Sequence, residues 1–143
     1  KQFNLAKKAS QADWLVGAEI VGTELAPALR AKKAPGTANQ YDNQPDDMDH
    51  YVNTSTDNGG VHTNSGIPNH AFYVTATTLG GNAWEAPGSI WYDALLDPTV
   101  TPKTTFALFA GVTLSHAGSL YGATSREALA VRAGWDAAKG RVR

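Results

Sequence analysis

The sequence predicts a mainly α protein: a helical bundle of about four to five helices in the second half, after an irregular, loop-rich N-terminal third. Three observations lead there. Apolar residues recur at helical spacing from Ile67 to Ala138. Within that stretch Gly, Pro, Ser and Thr fall where helices start and stop. Before it, residues 31–56 are polar and rich in Pro, Gly, Asn and Asp, a composition of functional or mobile loop.

Each element has its own signal. Residues 1–9, with Phe3 and Leu5 apolar and lysines late, predict the last turns of a helix. The run ADWLVGAEIVG is broken by Gly17 and Gly22, which predicts extended or irregular chain. Ile67, Ala71 and Val74 lie at i, i+4 and i+7, with Thr63 or Asn64 as cap and Pro68 in the first turn. The GGN at residues 80–82 ends that helix. Ile90, Trp91, Ala94 and Leu95 stripe the next, which Pro98 stops. Thr101-Pro102 reads as a cap followed by proline at the first helical position. The helix after it is apolar nearly all round, from Phe106 through Leu108 and Val112 to Leu114, which predicts a central, buried helix. Thr124 to Glu127 forms a capping box, and Ala128, Val131, Trp135 and Ala138 line the inner face before Gly140. The 143 residues suit a single domain, with residues 1–62 loop-rich and 63–143 a bundle.

Composition excludes several classes. Hydrophobic residues make up 42% and charged residues 17%, enough for a packed core. Twelve basic against 13 acidic side chains leave a formal charge of -1, without the basic footprint of nucleic-acid binding. No apolar run approaches the ~18 residues of a membrane span. The first 14 residues have no apolar core of a signal peptide, and the missing initial Met suggests a mature fragment or a piece of a longer chain. Without cysteine there is neither disulfide nor thiolate metal site.

One stretch invites chemistry: DNGGVHTNSGI, residues 57–67. Asp57 precedes His62 across two glycines that permit a sharp reversal. A carboxylate on one imidazole nitrogen fixes the tautomer, so the other nitrogen of the protonated ring can donate to developing negative charge. The alternative is that Asp57 and Asn58 only cap a turn and His62 is a surface histidine. Arg30, the only arginine in the first half, has a fork suited to a peptide carbonyl or carboxylate; it could equally be a surface residue. His50, beside Asp46, Asp47 and Asp49, lacks calcium-loop spacing and reads as loop structure. His70 and His116 fall on predicted helices, as packing or exposed residues. HExxH, P-loop, GxSxG and GxGxxG motifs are absent.

The DNGGVHTNSGI block resembles the segment bearing the active-site histidine of thermolysin-like zinc metallopeptidases. DWLVGAEIV at 13–21, LR at 29–30, DHY at 49–51, TP at 101–102 and LYGATSREALAVRAGWDAAKG at 120–140 continue the resemblance in collinear order. It implies the C-terminal, mainly helical domain of such an enzyme, acting on peptide or protein substrates and secreted. His62 would hydrogen-bond the oxyanion formed when water adds to a peptide carbonyl, and Asp57 would orient it. Arg30 would hold the carbonyl beyond the scissile bond. Val16, Ile20 and Leu29 would wall the S1' pocket, and Asn58 would support the loop or contact the peptide.

The departures carry equal weight. The zinc ligands and general base of that family lie in HExxH and on a following helix, none of it in this chain. No metal ligand is therefore expected here: zinc would belong to the complete enzyme, and the chain alone would be inactive. Leu15 and Ala18 stand where calcium-binding carboxylates would be expected, beside a retained Asp13, so no double calcium site is expected. The expected partner is the N-terminal catalytic domain of the same enzyme. Without it, an apolar surface near Val16 and Leu29 would favour self-association. Two other readings stand: a non-catalytic binding or assembly domain derived from such a peptidase, and a piece binding zinc through its own histidines.

Overall fold

A computed structural model describes residues 4–140, and it is mainly helical with a loop-rich N-terminal portion. Five helices follow in order: α1 (Asp57–Asn64), α2 (Gly66–Leu79), α3 (Ala86–Leu96), α4 (Phe106–Tyr121) and α5 (Arg126–Ala137). The only sheet among the described residues is a two-stranded antiparallel ladder, β1 (Leu15–Val16) with β2 (Arg30–Ala31), in the register Leu15↔Ala31 and Val16↔Arg30.

The central pair is α2 against α5. Ile67, Ala71 and Thr75 of α2 are fully buried, as are Val131 and Trp135 of α5. The two backbones touch because Gly134 has no side chain: a Cβ there would lie 2.4 Å from the Ala71 carbonyl oxygen and 2.3 Å from Thr75 Oγ1. Thr75 turns its hydroxyl to the Ala71 carbonyl at 2.9 Å, and also approaches that of Ala130 at 3.3 Å, so its polar atom is satisfied at the contact. Trp135 fills the core, stacks on Trp91 and meets Phe109 edge-on. Its indole N–H donates to Thr113 Oγ1 at 2.8 Å.

Several expectations shift by a few residues. The inner face of α5 is as predicted, but its cap is Ser125, whose hydroxyl accepts from Ala128 N at 3.1 Å, not Thr124. Thr101-Pro102 does not open a helix. Thr101 instead closes a turn with Thr104, and Thr105 caps α4 by accepting from Leu108 N. The α4 helix is not central. Leu108 is 64% exposed, and the buried positions are the small Ala110, Thr113 and Ala117, which let it pack at the side of the bundle. Leu95 of α3 is likewise exposed, while Ile90 and Ala94 turn inward. No helix among the described residues is long and apolar enough to cross a membrane.

The N-terminal third is held by three local devices. Trp14 is buried, donates from its indole to the Ala9 carbonyl and packs edge-on against Phe72 and Tyr73 of α2. The expected opening helix falls partly outside the described residues. Asn4 to Ala6 form a turn, with Ala6 in the left-handed region, and Ala9 begins a single 3-10 turn. Ala28, Ala31 and Ala38 make a small apolar cluster with Leu15 and Ala18. The 3-10 turn Met48–His50 is tied to the end of α5 by Met48 N to the Ala138 carbonyl at 3.0 Å. Lys139 clamps the same turn through Asp47 at 2.9 Å and Asp49 at 2.6 Å. The Lys139 hydrogen bond, aided by His50, outweighs burial and holds the Asp47 carboxyl down to about 2.

Three outcomes follow. Gly134→Ala forces a Cβ into the Ala71 carbonyl and should cost roughly 1–3 kcal/mol in denaturant unfolding. Gly111→Ala, where the added methyl meets open space inside α4, should stabilise by about 0.5–1 kcal/mol. Asp47 is held ionised below its unfolded range, so its contribution is present above about pH 4 and fades as pH falls toward 2. Melting curves of Asp47→Asn, which keeps the capping oxygen, should lie below wild type at pH 7 and converge with it near pH 2.

Candidate active-site wall

The DNGG segment folds by four successive left-handed residues: Asp57 (φ 53), Asn58 (φ 50), Gly59 (φ 82) and Gly60 (φ 78). Aspartate and asparagine tolerate this conformation better than other side-chain-bearing residues, and glycine adopts it freely. At Gly60 the requirement is also steric, since a Cβ would lie 2.7 Å from Asn64 Nδ2. Asn64 is buried and mimics a strand neighbour. It accepts from Val52 N and donates to the Val52 carbonyl, each at 2.9 Å.

The reversal brings the Asp57 carboxylate back over the turn that follows. Its Oδ2 accepts from His62 N at 2.9 Å and Thr63 N at 3.0 Å; Oδ1 meets His62 Nδ1 at 2.5 Å. Asp57 thus makes the turn-capping bonds and the contact to the ring together. The expected cap at Thr63 or Asn64 is wrong for the same reason: helical chain resumes already at Val61, so His62 lies inside α1 rather than ahead of a helix. The His62 and Thr63 hydrogen bonds outweigh desolvation and lower the Asp57 pKa. An ionised carboxylate only accepts, so Nδ1 carries the shared proton and Nε2 is the outward nitrogen. The His62 side chain is 75% exposed against 25% for Asp57.

The other named residues group around the ladder. Val16 and Arg30 are register partners, and Leu29 N donates to the Val16 carbonyl at 2.9 Å. Gly17, at φ 79, lets Leu29 close on the turn; a Cβ there would lie 3.2 Å from Leu29 Cβ. Ile20 sits on the same turn at 88% exposure, with Val16 and Leu29 near 40%. Arg30 spends one N–H on the Leu29 carbonyl at 2.8 Å. The structure thus forms two groups, one at 16–30 and one at 57–62.

A polar loop connects them. Asn39 Nδ2 donates to the Ala28 carbonyl at 2.8 Å. Buried Asp42 accepts from Gly36 N, Ala38 N and Gln44 N. Buried Gln44 then reaches the His62 carbonyl at 2.5 Å and Ser65 Oγ at 2.6 Å. No periodicity or motif marks these residues; the only signal was prolines at 35 and 45 bracketing a loop rich in amide and carboxylate side chains.

Two concavities lie nearby. One of about 400 Å³ borders the glycine turn, with Asn58, Gly59, Tyr51 and Lys103 among its walls. A larger apolar groove of about 560 Å³ runs between α2, α3 and α4 past Phe72, Trp91 and Phe109 and contains none of the predicted site residues. Lys32 at its edge donates to Asn69 Oδ1 at 2.7 Å, and burial lowers its pKa.

The other histidines are engaged elsewhere. His116 Nε2 pairs with Asp97 at 2.9 Å, and His70 Nδ1 contacts the Lys33 carbonyl at 3.2 Å. Asp46, Asp47 and His50 come close enough to share a cation. They do not fit a catalytic zinc site, because Asp47 already accepts from His50 and from the Lys139 ammonium. Among the described residues no other such group occurs. Leu15 and Ala18 pack into the apolar cluster, while Asp13 Oδ1 accepts from Leu15 N.

The sequence matches the family described as thermolysin metallopeptidase, alpha-helical domain, over residues 1–139. The chain belongs to that family. It is 47% identical over 130 residues to an extracellular metalloprotease of Pectobacterium carotovorum subsp. carotovorum, covering 87% of this chain and 38% of that protein. It is 40% identical over 129 residues to bacillolysin of Bacillus amyloliquefaciens, covering 87% of this chain and 22% of that protein. In structure it resembles the precursor of protealysin, a metalloproteinase from Serratia proteamaculans. The TM-score is 0.91 at 43% identity, over 98% of this chain and 45% of that one. This helical domain therefore spans less than half the length of the relatives it matches.

Proposed function

We propose that residues 1–143 are one domain forming a wall of the substrate cleft of a secreted zinc metalloendopeptidase. Residues 1–62 present the cleft face and 63–143 the supporting bundle. The observation that carries this is the exposed imidazole of His62, fixed through Nδ1 by an ionised Asp57 and free at Nε2. In a chain of this family, such a group would act on a peptide.

The role of each residue follows from its donors. With Nδ1–H engaged by Asp57, the protonated ring donates from Nε2 to the oxygen of the peptide carbonyl as negative charge develops there. The neutral ring presents a lone pair at Nε2 and loses that function. Asp57 positions and orients; it exchanges no proton with substrate. Arg30 retains N–H donors beyond the one given to Leu29 and clamps the carbonyl of the following peptide unit. Val16, Leu29 and Ile20 offer exposed apolar surface for the side chain after the scissile bond. Asn58, left-handed and exposed at the rim of the turn, contacts peptide backbone.

Zinc, when present in the complete enzyme, supplies Lewis-acid activation of the attacking water. Its ligands and the general base belong to an N-terminal catalytic domain outside this sequence, which has no HExxH, so the chain alone is inactive. The extracellular naming of the Pectobacterium relative supports secretion. The exposed Val16, Ile20 and Leu29 also give the isolated domain an apolar face through which two copies associate.

In the complete protease, His62→Ala should lower turnover by roughly 10²–10³-fold, the cost of one oxyanion donor. Unchanged turnover would refute the role. Arg30→Ala should raise KM and lower kcat together, and two unaffected constants would assign the arginine to the surface.

A further inference from the structure

We propose that Gln44 is a positioning residue for His62, acting through the histidine's main-chain carbonyl. This rests on the catalytic reading of His62 above and adds the group that sets where its ring stands.

His62 lies in the last turn of α1, which ends at Asn64, and Ser65 joins that helix to α2. Two side chains satisfy that oxygen. Ser65 Oγ donates to it at 2.7 Å, and Gln44 Nε2 donates at 2.5 Å. Gln44 Nε2 also donates to Ser65 Oγ at 2.6 Å, closing a triangle. The glutamine lies 18 residues upstream, is only 4% exposed, and has its own backbone N–H directed at Asp42. Its place is enforced by close packing: a Cβ on Gly66 would lie 2.9 Å from Gln44 Cβ and 2.3 Å from the Pro45 carbonyl oxygen.

The amide orientation follows from chemistry. A carbonyl oxygen only accepts, so the group facing His62 must be the NH₂. That choice strands Gln44 Oε1, which is buried without a hydrogen-bond partner. Among the described residues it is the one buried side-chain polar atom so left. The buried amide thus directs both of its short donations at the turn that carries His62. Asp57 holds the amide N–H and the ring of His62 from one side; Gln44 and Ser65 hold its carbonyl from the other. With both ends of its peptide unit fixed, the imidazole has little freedom except rotation that Asp57 already forbids.

The experiment is a double-mutant cycle in the complete protease. Gln44→Met keeps the volume and removes both the donor and the stranded oxygen. It should lower kcat roughly ten-fold with KM changed less than about two-fold, a displacement of well under 1 Å sufficing for that loss. In the His62→Ala background the same substitution should change kcat by less than about two-fold, because a residue acting through the imidazole has nothing left to position. An equal loss in both backgrounds would make Gln44 a general structural residue and overturn the inference, as would no loss in either. If Gln44→Met does not accumulate, Ser65→Ala removes the second brace with a smaller perturbation. It should give roughly a three-fold loss in the parent and none beside His62→Ala; any other pattern overturns the inference. Full turnover in His62→Ala alone would instead refute the catalytic reading itself, separately from Gln44.

Discussion

The Asp57 carboxylate is the constraint on which the candidate site depends. One ionised group closes the first helical turn through two backbone N–H donors and holds the His62 ring through a third contact. It can do so only because four consecutive left-handed residues fold the chain back on itself. Glycine is favoured at Gly60 both by its left-handed φ of 78 and by Asn64, whose side-chain amide lies where a Cβ would go. Ring orientation, local helix start and backbone reversal are therefore a single device, and a change in any one propagates to the others.

That device is mounted on a rigid base. The turn runs through Ser65 into α2, and α2 lies against α5 at backbone contact through Gly134. Close packing of this kind leaves no slack for the helix to rotate. On the other side, the loop from Asn39 to Gln44 connects the β1–β2 ladder to the turn by side-chain hydrogen bonds to main chain. The bundle thus sets the position of His62, and the loop sets how the Arg30 ladder relates to it. In this arrangement the packed helices supply stiffness, and the proposed working groups sit on the turn and ladder beside them.

Much of this was legible in the sequence, but unevenly. The inner face of α5 could be read because Ala128, Val131, Trp135 and Ala138 repeat at helical spacing, and every one is buried. Asp57 and His62 could be paired because glycines between them permit reversal, and the structure joins them. Caps were misplaced by one to four residues, since Thr and Ser cluster at each boundary and tertiary packing chooses among them. The α4 helix was misread as central because apolar content records what a helix may bury, not what covers it; its inward positions are small, and Leu108 faces solvent. Asp42 and Gln44 carry no local signal, and Asn64 reads in the sequence only as a candidate helix cap. Their partners lie in main chain distant in sequence, and no local pattern encodes such bonds.

The proton on the His62 ring decides the account most directly. Long-range ¹H–¹⁵N correlation of the imidazole in the folded protein should show Nδ1 protonated at every pH at which Asp57 is ionised, with only Nε2 gaining and losing its proton. Asp57→Asn should erase that preference. A neutral His62 carrying its proton on Nε2 in the unaltered protein would mean that Asp57 does not hold the ring, and the proposed division of labour between the two residues would fall.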